Sequence, residues 1–189
     1  MKKLTIALAS LMLSAAAYAQ NWTLDKMHAK LGFTITHMMV SDVDGFFKDV
    51  DATIVSSKPD FSDAKITVTA QTASINTDND KRDEHLKGPD FFDAAKNPTV
   101  TFVSKSLKKN GNNAYKVTGD LTMHGITKTV TLDLSFRGPA VNPMSKKNFA
   151  GFKVTGKVKR SDFNIGGGFG SSMLGEEVKI NANGEFVQG

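Results

Sequence analysis

Strict alternation of apolar and polar residues recurs along this chain and restricts its fold more than any other feature. In 64–71, Ala64, Ile66, Val68 and Ala70 alternate with Lys65, Thr67, Thr69 and Gln71. In 114–123, Tyr115, Val117, Gly119, Leu121 and Met123 alternate with Lys116, Thr118, Asp120 and Thr122. The pattern returns in 129–136 with Val130, Leu132, Leu134 and Phe136, and in 150–158 with Phe152, Val154, Gly156 and Val158. A period of two gives a strand one buried and one wet face, as in antiparallel sheets. Weaker examples are Leu31, Phe33 and Ile35, then 46–55, 99–107 and 177–186. Turn signals such as Lys58-Pro59-Asp60 and Asn110-Gly111-Asn112 separate these runs, so sequence neighbours are expected to pair as hairpins. Eight such strands close into a barrel or stack as a sandwich. Gly45, Gly119, Gly156 and Gly184, within or beside strands, supply bends that favour the barrel. The expected fold class is therefore all-β: an eight-stranded antiparallel barrel with a short helical insert between the third and fourth strands.

The N-terminus reads as an address. Lys2 and Lys3 precede the uncharged apolar run from Leu4 to Ala16, and Ala17-Tyr18-Ala19 fits a small-x-small cleavage site. The run, about 13 residues, is short of the roughly 20 that span a bilayer. Residues 1–19 are thus expected to be a cleaved signal peptide and 20–189 a single domain. Periplasmic or secreted localisation follows, with no transmembrane anchor. Without cysteine, an exported domain must be held by packing and pairing alone, and thiol catalysis is excluded. Loss of Lys2 and Lys3 lowers the net charge from +5 to +3. No basic run interleaved with aromatics points to nucleic acid.

Residues 75–93, INTDNDKRDEHLKGPDFFD, break the alternation. Asn79 or Asp80 can cap a helix carrying Asp83 and Glu84 in its first turn, and Gly88-Pro89 stops it. Asp90 can cap a second short helix over 91–96, ended by Asn97-Pro98. Helices this short need a surface to pack on. Phe91 and Phe92 are the expected contacts, making the segment a lid or plug fastened to the barrel.

Catalytic signatures are lacking. The histidines His28, His37, His85 and His124 form neither His-x-His nor His-Glu-x-x-His. His28 and His37 would lie roughly 30 Å apart on an uninterrupted strand. The stretch GFGSS at 168–172 is not a Gly-x-Ser-x-Gly elbow. The expectation is no enzyme, no catalytic residue, no metal and no cofactor; a lipid esterase is the enzyme alternative.

Several pieces together resemble the YceI-like family of bacterial envelope proteins. They are Trp22-Thr23-Leu24-Asp25 before His28, Phe33-Thr34-Ile35-Thr36-His37, and Gly45-Phe46-Phe47. The run ASINTDNDKRDEHLKGPDFFDAAKNPTVTF at 73–102 is the most specific. Gly119-Asp120-Leu121-Thr122, His124-Gly125-Ile126-Thr127 and Lys159-Arg160-Ser161-Asp162-Phe163-Asn164-Ile165 complete the match along nearly all of 20–189. Ala29 follows His28 where the family commonly has Ser. The resemblance implies a lipocalin-like barrel holding a long isoprenoid, a polyprenyl phosphate or a quinone-type lipid, for transport, storage or sequestration in the envelope.

A lumen for such a chain would be lined by Leu31, Phe33 and Ile35 of the first strand and Ile66 and Val68 of the third. Phe102, Val117 and Leu121 would continue it, with Val130, Leu132 and Leu134, then Phe152 and Val154. The same residues would equally fill a solid core. Met38, Met39, Met123 and Met173 could line a malleable pocket or fill gaps. A polar head would meet Arg82 and His85, three apart on one helical face; the alternative for Arg82 is to order its own loop. Arg160 with Asp162 could be a similar structural pair. The partner expected is an isoprenoid lipid. A regulatory or envelope-stress protein using the barrel exterior, including a homodimer docked through the paired phenylalanines, is the rival reading.

Overall fold

The computed structural model describes residues 19–189. The expected leader, Ala19 apart, lies outside the described residues.

The strands are β1 (Gln20–His37), β2 (Ser41–Phe47), β3 (Val50–Ser56), β4 (Lys65–Gln71), β5 (Ile75–Asn76), β6 (Thr99–Lys109), β7 (Ala114–Met123), β8 (Ile126–Val141), β9 (Asn148–Lys159) and β10 (Leu174–Gln188). One helix, α1 (Asp80–Lys87), lies between β5 and β6. From β6 to β10 each strand pairs antiparallel with the next, and β10 returns to β1 along nearly its whole length. The result is a closed eight-stranded antiparallel barrel, in which β2 and β3 together make one strand.

That composite strand corrects the expectation of one continuous strand over 46–55. β3 pairs with the start of β1 (Trp22 opposite Ile54), and β2 with its end (Leu31 opposite Phe47). Between them, Lys48 N and Asp49 N both donate to Ser74, at its carbonyl and its hydroxyl. The chain leaving β4 thus wedges in here, and Ile75 pairs with Phe47. β1 is irregular near the same level: Asp25 faces Glu185, but Ala29 faces Gly184, so Lys26, Met27 and His28 bulge out. Lys26 Nζ reaches Asp51 at 2.9 Å and Asp49 at 3.4 Å. Bulges of this kind bend and coil a strand, as closure requires.

The inward sets of alternating residues form the core. At one end an aromatic floor seals the barrel. Phe61 is fully buried, with ring centroids 5.2 Å from Trp22, 5.1 Å from Phe136 and 4.9 Å from Phe152, each edge-on. Phe152 meets Phe186 at 5.2 Å in the same geometry. Edge-to-face contacts suit the ring quadrupole, adding about 0.5–1.5 kcal/mol per pair beyond burial. Tyr115 Oη donates to Asp60 O at 2.8 Å, holding the floor loop in place.

The other end is covered by α1 and residues 88–98. Asn79 Oδ1 accepts from Arg82 N at 3.0 Å, the N-cap, and helix α1 stops at Gly88. The second helix expected over 91–96 is absent; the segment runs as successive turns, and Asp93 sits at φ 45. A left-handed residue cannot continue a right-handed helix. Asp93 N and Ala94 N donate back to Gly88 O and Lys87 O, folding the turns onto the end of α1.

Candidate functional site

Between floor and lid lies an apolar cavity of about 220 Å³. Leu31, Phe33 and Ile35 line it from β1, and Ile66 and Val68 from β4. Phe102, Val117, Leu121, Leu132, Leu134 and Val154 continue the wall around β6 to β9. All eleven were expected to face a lumen. Two more were expected there, Phe152 and Val130, and Phe152 does not line this space: its side chain points inward, but at the level of the floor among Phe61, Phe136 and Phe186. Val130 is half-buried against the core and does not line the cavity.

The wall is open because two glycines give room to large neighbours. A side chain on Gly45 would collide with the Phe33 ring, and one on Gly156 with the end of Leu132. Both large side chains therefore lie back against the sheet. From the lid, Leu86, Phe91 and Phe92 close the cavity. Phe91 is buried, and Phe92 packs edge-on to Phe47 at 6.0 Å.

A second space of about 240 Å³ sits at the mouth, lined by Arg82, His85, Thr77, His37, Phe169 and Met173 among others. It shares Phe33, Ile35, Leu86, Phe91 and Leu174 with the inner cavity. The two together reach the ordinary range of a ligand site, about 300–1,000 Å³.

Arg82 and His85 thus border the mouth and not the inner cavity. Arg82 largely orders its own loop, donating from Nε to Thr77 Oγ1 at 2.7 Å and from Nη2 to Thr77 O at 2.6 Å. The buried Asp83 accepts from Thr77 N at 2.8 Å and from Thr77 Oγ1 at 2.5 Å. His85 stands edge-on to Phe91 at 4.9 Å, with Asp90 Oδ2 3.6 Å from its Nε2.

Arg160 is a charged residue of the inner wall, and it does not pair with Asp162. It starts a 3₁₀ turn after β9 and is buried. Its Nε donates to Gly175 O at 3.1 Å. Nη1 donates to Ile165 O at 3.1 Å and Gly166 O at 2.6 Å. Nη2 donates to Phe169 O at 2.6 Å and Leu174 O at 3.1 Å. A guanidinium has five N–H groups, so every donor is committed to a backbone carbonyl of the loop before β10 or of the first two residues of β10. Glu176, 3.7 Å away, balances the charge. Hydrogen bonds from Ser161, opposed by partial burial and helped by Arg160, hold its carboxyl below the usual range. The glycine-rich loop is therefore anchored, and Gly166 N donates to Asp90 O at 2.8 Å, tying it to the lid. The sequence gives no sign of this anchor, because its acceptors are backbone atoms with no side-chain signature.

The methionines divide. Met123 lines the inner cavity and Met173 the mouth, while Met38 and Met39 are exposed on the β1–β2 turn. Of the paired phenylalanines, Phe47 and Phe91 are buried, and Phe46 lies under Lys30 Nζ at 5.0 Å. His28 Nδ1 is 2.9 Å from Asp25 and 4.0 Å from Glu185 on the exposed bulge, far along β1 from His37.

Comparison with known proteins agrees with this architecture. The family model for the YceI-like domain matches residues 22–186. A UPF0312 protein of Staphylococcus aureus (strain USA300) is 42% identical over 170 residues, covering 88% of this chain and 96% of that one. The crystal structure of the Campylobacter jejuni YCEI protein superposes with a TM-score of 0.75 at 37% identity, covering 82% of this chain and 90% of that one. A polyisoprenoid binding domain from Saccharophagus degradans, implicated in plant cell wall breakdown, shares the fold with a TM-score of 0.68 at 13% identity, covering 89% and 98%.

Proposed function

The chain belongs to the YceI-like family, and from that premise we propose that it holds a long-chain isoprenoid lipid inside its barrel, as a non-enzymatic carrier in the bacterial cell envelope. The observation that carries this reading is a cavity walled almost wholly by hydrocarbon, sealed by an aromatic floor and covered by a lid of Leu86, Phe91 and Phe92. Such a space suits a chain with no hydrogen bonds to satisfy, each buried methylene contributing about 0.8 kcal/mol. The polyisoprenoid binding named for the Saccharophagus degradans domain, which shares the fold, is consistent with that ligand class.

Of the two head groups, an uncharged quinone-type head fits better than a phosphate. Arg160 has no N–H left to give. The α1 N-terminus is already capped by Asn79. Residues 78–98, the lid and its approach, also carry Asp78, Asp80, Asp83, Glu84, Asp90 and Asp93 against Lys81, Arg82, Lys87 and Lys96. That excess of carboxylates repels an anionic head at the mouth.

Native mass spectrometry of protein purified gently from the host envelope, with organic extraction of what comes off, tests both levels. A one-to-one adduct whose species differ by isoprene units, with an uncharged head, is the expected result. An extracted polyprenyl phosphate overturns the head-group reading alone. A clean protein mass with no uptake of added polyprenyl lipid overturns the carrier reading.

A further inference from the structure

The turn between β1 and β2 is built from residues that suit neither its backbone nor water. His37 O accepts from Val40 N at 3.2 Å, closing a four-residue turn whose central residues are Met38 and Met39. Both are left-handed, at φ 50 and φ 59. Positive φ at both central positions is the type I′ arrangement, which favours Asn-Gly because other side chains clash with the backbone there. Methionine at both is conformationally unfavourable, and such outliers persist where something else is gained.

The same residues are also exposed. Met38 is 52% accessible, Met39 75% and Val40 84%. Met38 N donates to Met173 O at 2.9 Å, which brings in a fourth exposed apolar side chain, Met173, at 48%. Four adjoining apolar side chains on a turn tip are a patch and not scatter. Their position gives them meaning: His37 and Met173 line the mouth space, which opens onto the inner cavity through Phe33 and Leu174. The patch is the rim of the cavity.

From this we infer that the Met38-Met39-Val40 tip, with Met173, inserts into a lipid bilayer surface and sets the mouth of the barrel against the membrane. The inference rests on the isoprenoid reading for its choice of partner, since a bilayer is where such a chain resides. Flexible, polarizable methionines adapt to an irregular acyl surface. The charges nearby choose the kind of surface. Asp42 and Asp44 follow the tip, Lys179 is paired with Asp42 at 3.4 Å, and the lid beside the mouth is acidic. No cationic surplus draws the rim to anionic lipid, so the surface it fits is electrically neutral, and anionic headgroups oppose it at low salt.

Flotation of the full mature chain with phosphatidylcholine vesicles, with and without added phosphatidylglycerol, tests this. The wild-type protein is expected to float with phosphatidylcholine and to float less as phosphatidylglycerol is added. Met38→Asn with Met39→Gly relieves the turn, so its melting temperature should equal or exceed the wild type, while vesicle binding falls at least about tenfold. Val40→Asp, which leaves the two left-handed positions unchanged, should lose binding similarly. Wild-type protein that stays at the bottom of the gradient, or an Asn-Gly variant that floats equally, overturns the inference. So does tip-dependent dimerisation by light scattering without flotation, which makes a second copy the occupant. Uptake of solanesol diluted from ethanol, followed by native mass spectrometry, is scored separately. Uptake without flotation defeats only the docking surface, and flotation without uptake defeats only the carrier reading.

Discussion

Phe33 and Gly45 face each other across the β1–β2 ladder, and the Phe33 ring fills the space that a side chain on Gly45 would need. The missing side chain lets the ring lie against the sheet instead of across the cavity. Gly45→Ala should push the ring and Thr77 aside, costing about 1–3 kcal/mol as overpacking does. Thermal melting should fall by several degrees, and isoprenoid capacity should fall with it. An unchanged melting temperature and capacity would mean that Phe33 has room to spare.

Val68 lines the inner cavity from β4 and is only half-buried. Val68→Trp should fill that cavity from within. Ordinary cores reject added volume, but a cavity accepts it, so folding should survive while the bound lipid is lost. Circular dichroism and the stoichiometry of extracted lipid read the two effects separately; lipid retained at the wild-type level refutes the assignment of the cavity as the binding site.

Phe91 and Phe92 fasten the lid. Phe91→Ala with Phe92→Ala should speed ligand release at least about tenfold, with little change in far-ultraviolet dichroism because the barrel strands do not depend on them. An unaltered release rate in stopped-flow transfer to acceptor vesicles would show that these rings do not gate the cavity.

Arg160→Lys should destabilise the protein by about 3 kcal/mol or more, since an ammonium with three donors leaves carbonyls of the loop before β10 and of the start of β10 unpaired in a buried setting. The urea midpoint should drop, and protease cleavage should appear first in that loop. Cleavage elsewhere in place of the loop would show that Arg160 does not anchor it.

Asp63 contributes to acid stability. Partial desolvation opposes ionisation of Asp63, but hydrogen bonds from Ser56 Oγ, Ser57 Oγ and Ser57 N outweigh it and hold the carboxyl far below its usual range. A depressed folded-state pKa stabilises above the unfolded value of 3.8 and is lost as pH falls through the folded value. Asp63→Asn should therefore lower the melting temperature at neutral pH and flatten its decline below about pH 4. The effect is modest because Asp63 is solvent-exposed. Melting curves of the two proteins that stay parallel from pH 7 to pH 2 would contradict it.

The strands were legible because alternation reports directly which side chains face inward. Eleven of the thirteen expected lumen residues line the cavity for that reason. Phe152 shows the limit: period two fixes the face and says nothing of height along the barrel axis. The break at Lys48 and Asp49 was invisible because its cause is Ser74, from a different segment. Phe61, fully buried in the floor, sits in a loop at φ 56, where no periodicity exists to mark it. The helix expected over 91–96 failed at Asp93, whose left-handed backbone follows from contacts with the end of α1.

The floor of Trp22, Phe61, Phe136, Phe152 and Phe186 also has a metric consequence. A tube stopped at one end admits a chain tail first and returns it head first. Its depth then acts as a ruler. An isoprenoid longer than the tube leaves its head outside the lid, within reach of whatever acts on it, and a shorter one is swallowed whole. On the carrier reading proposed above, the same barrel would sort chains by length without touching their chemistry.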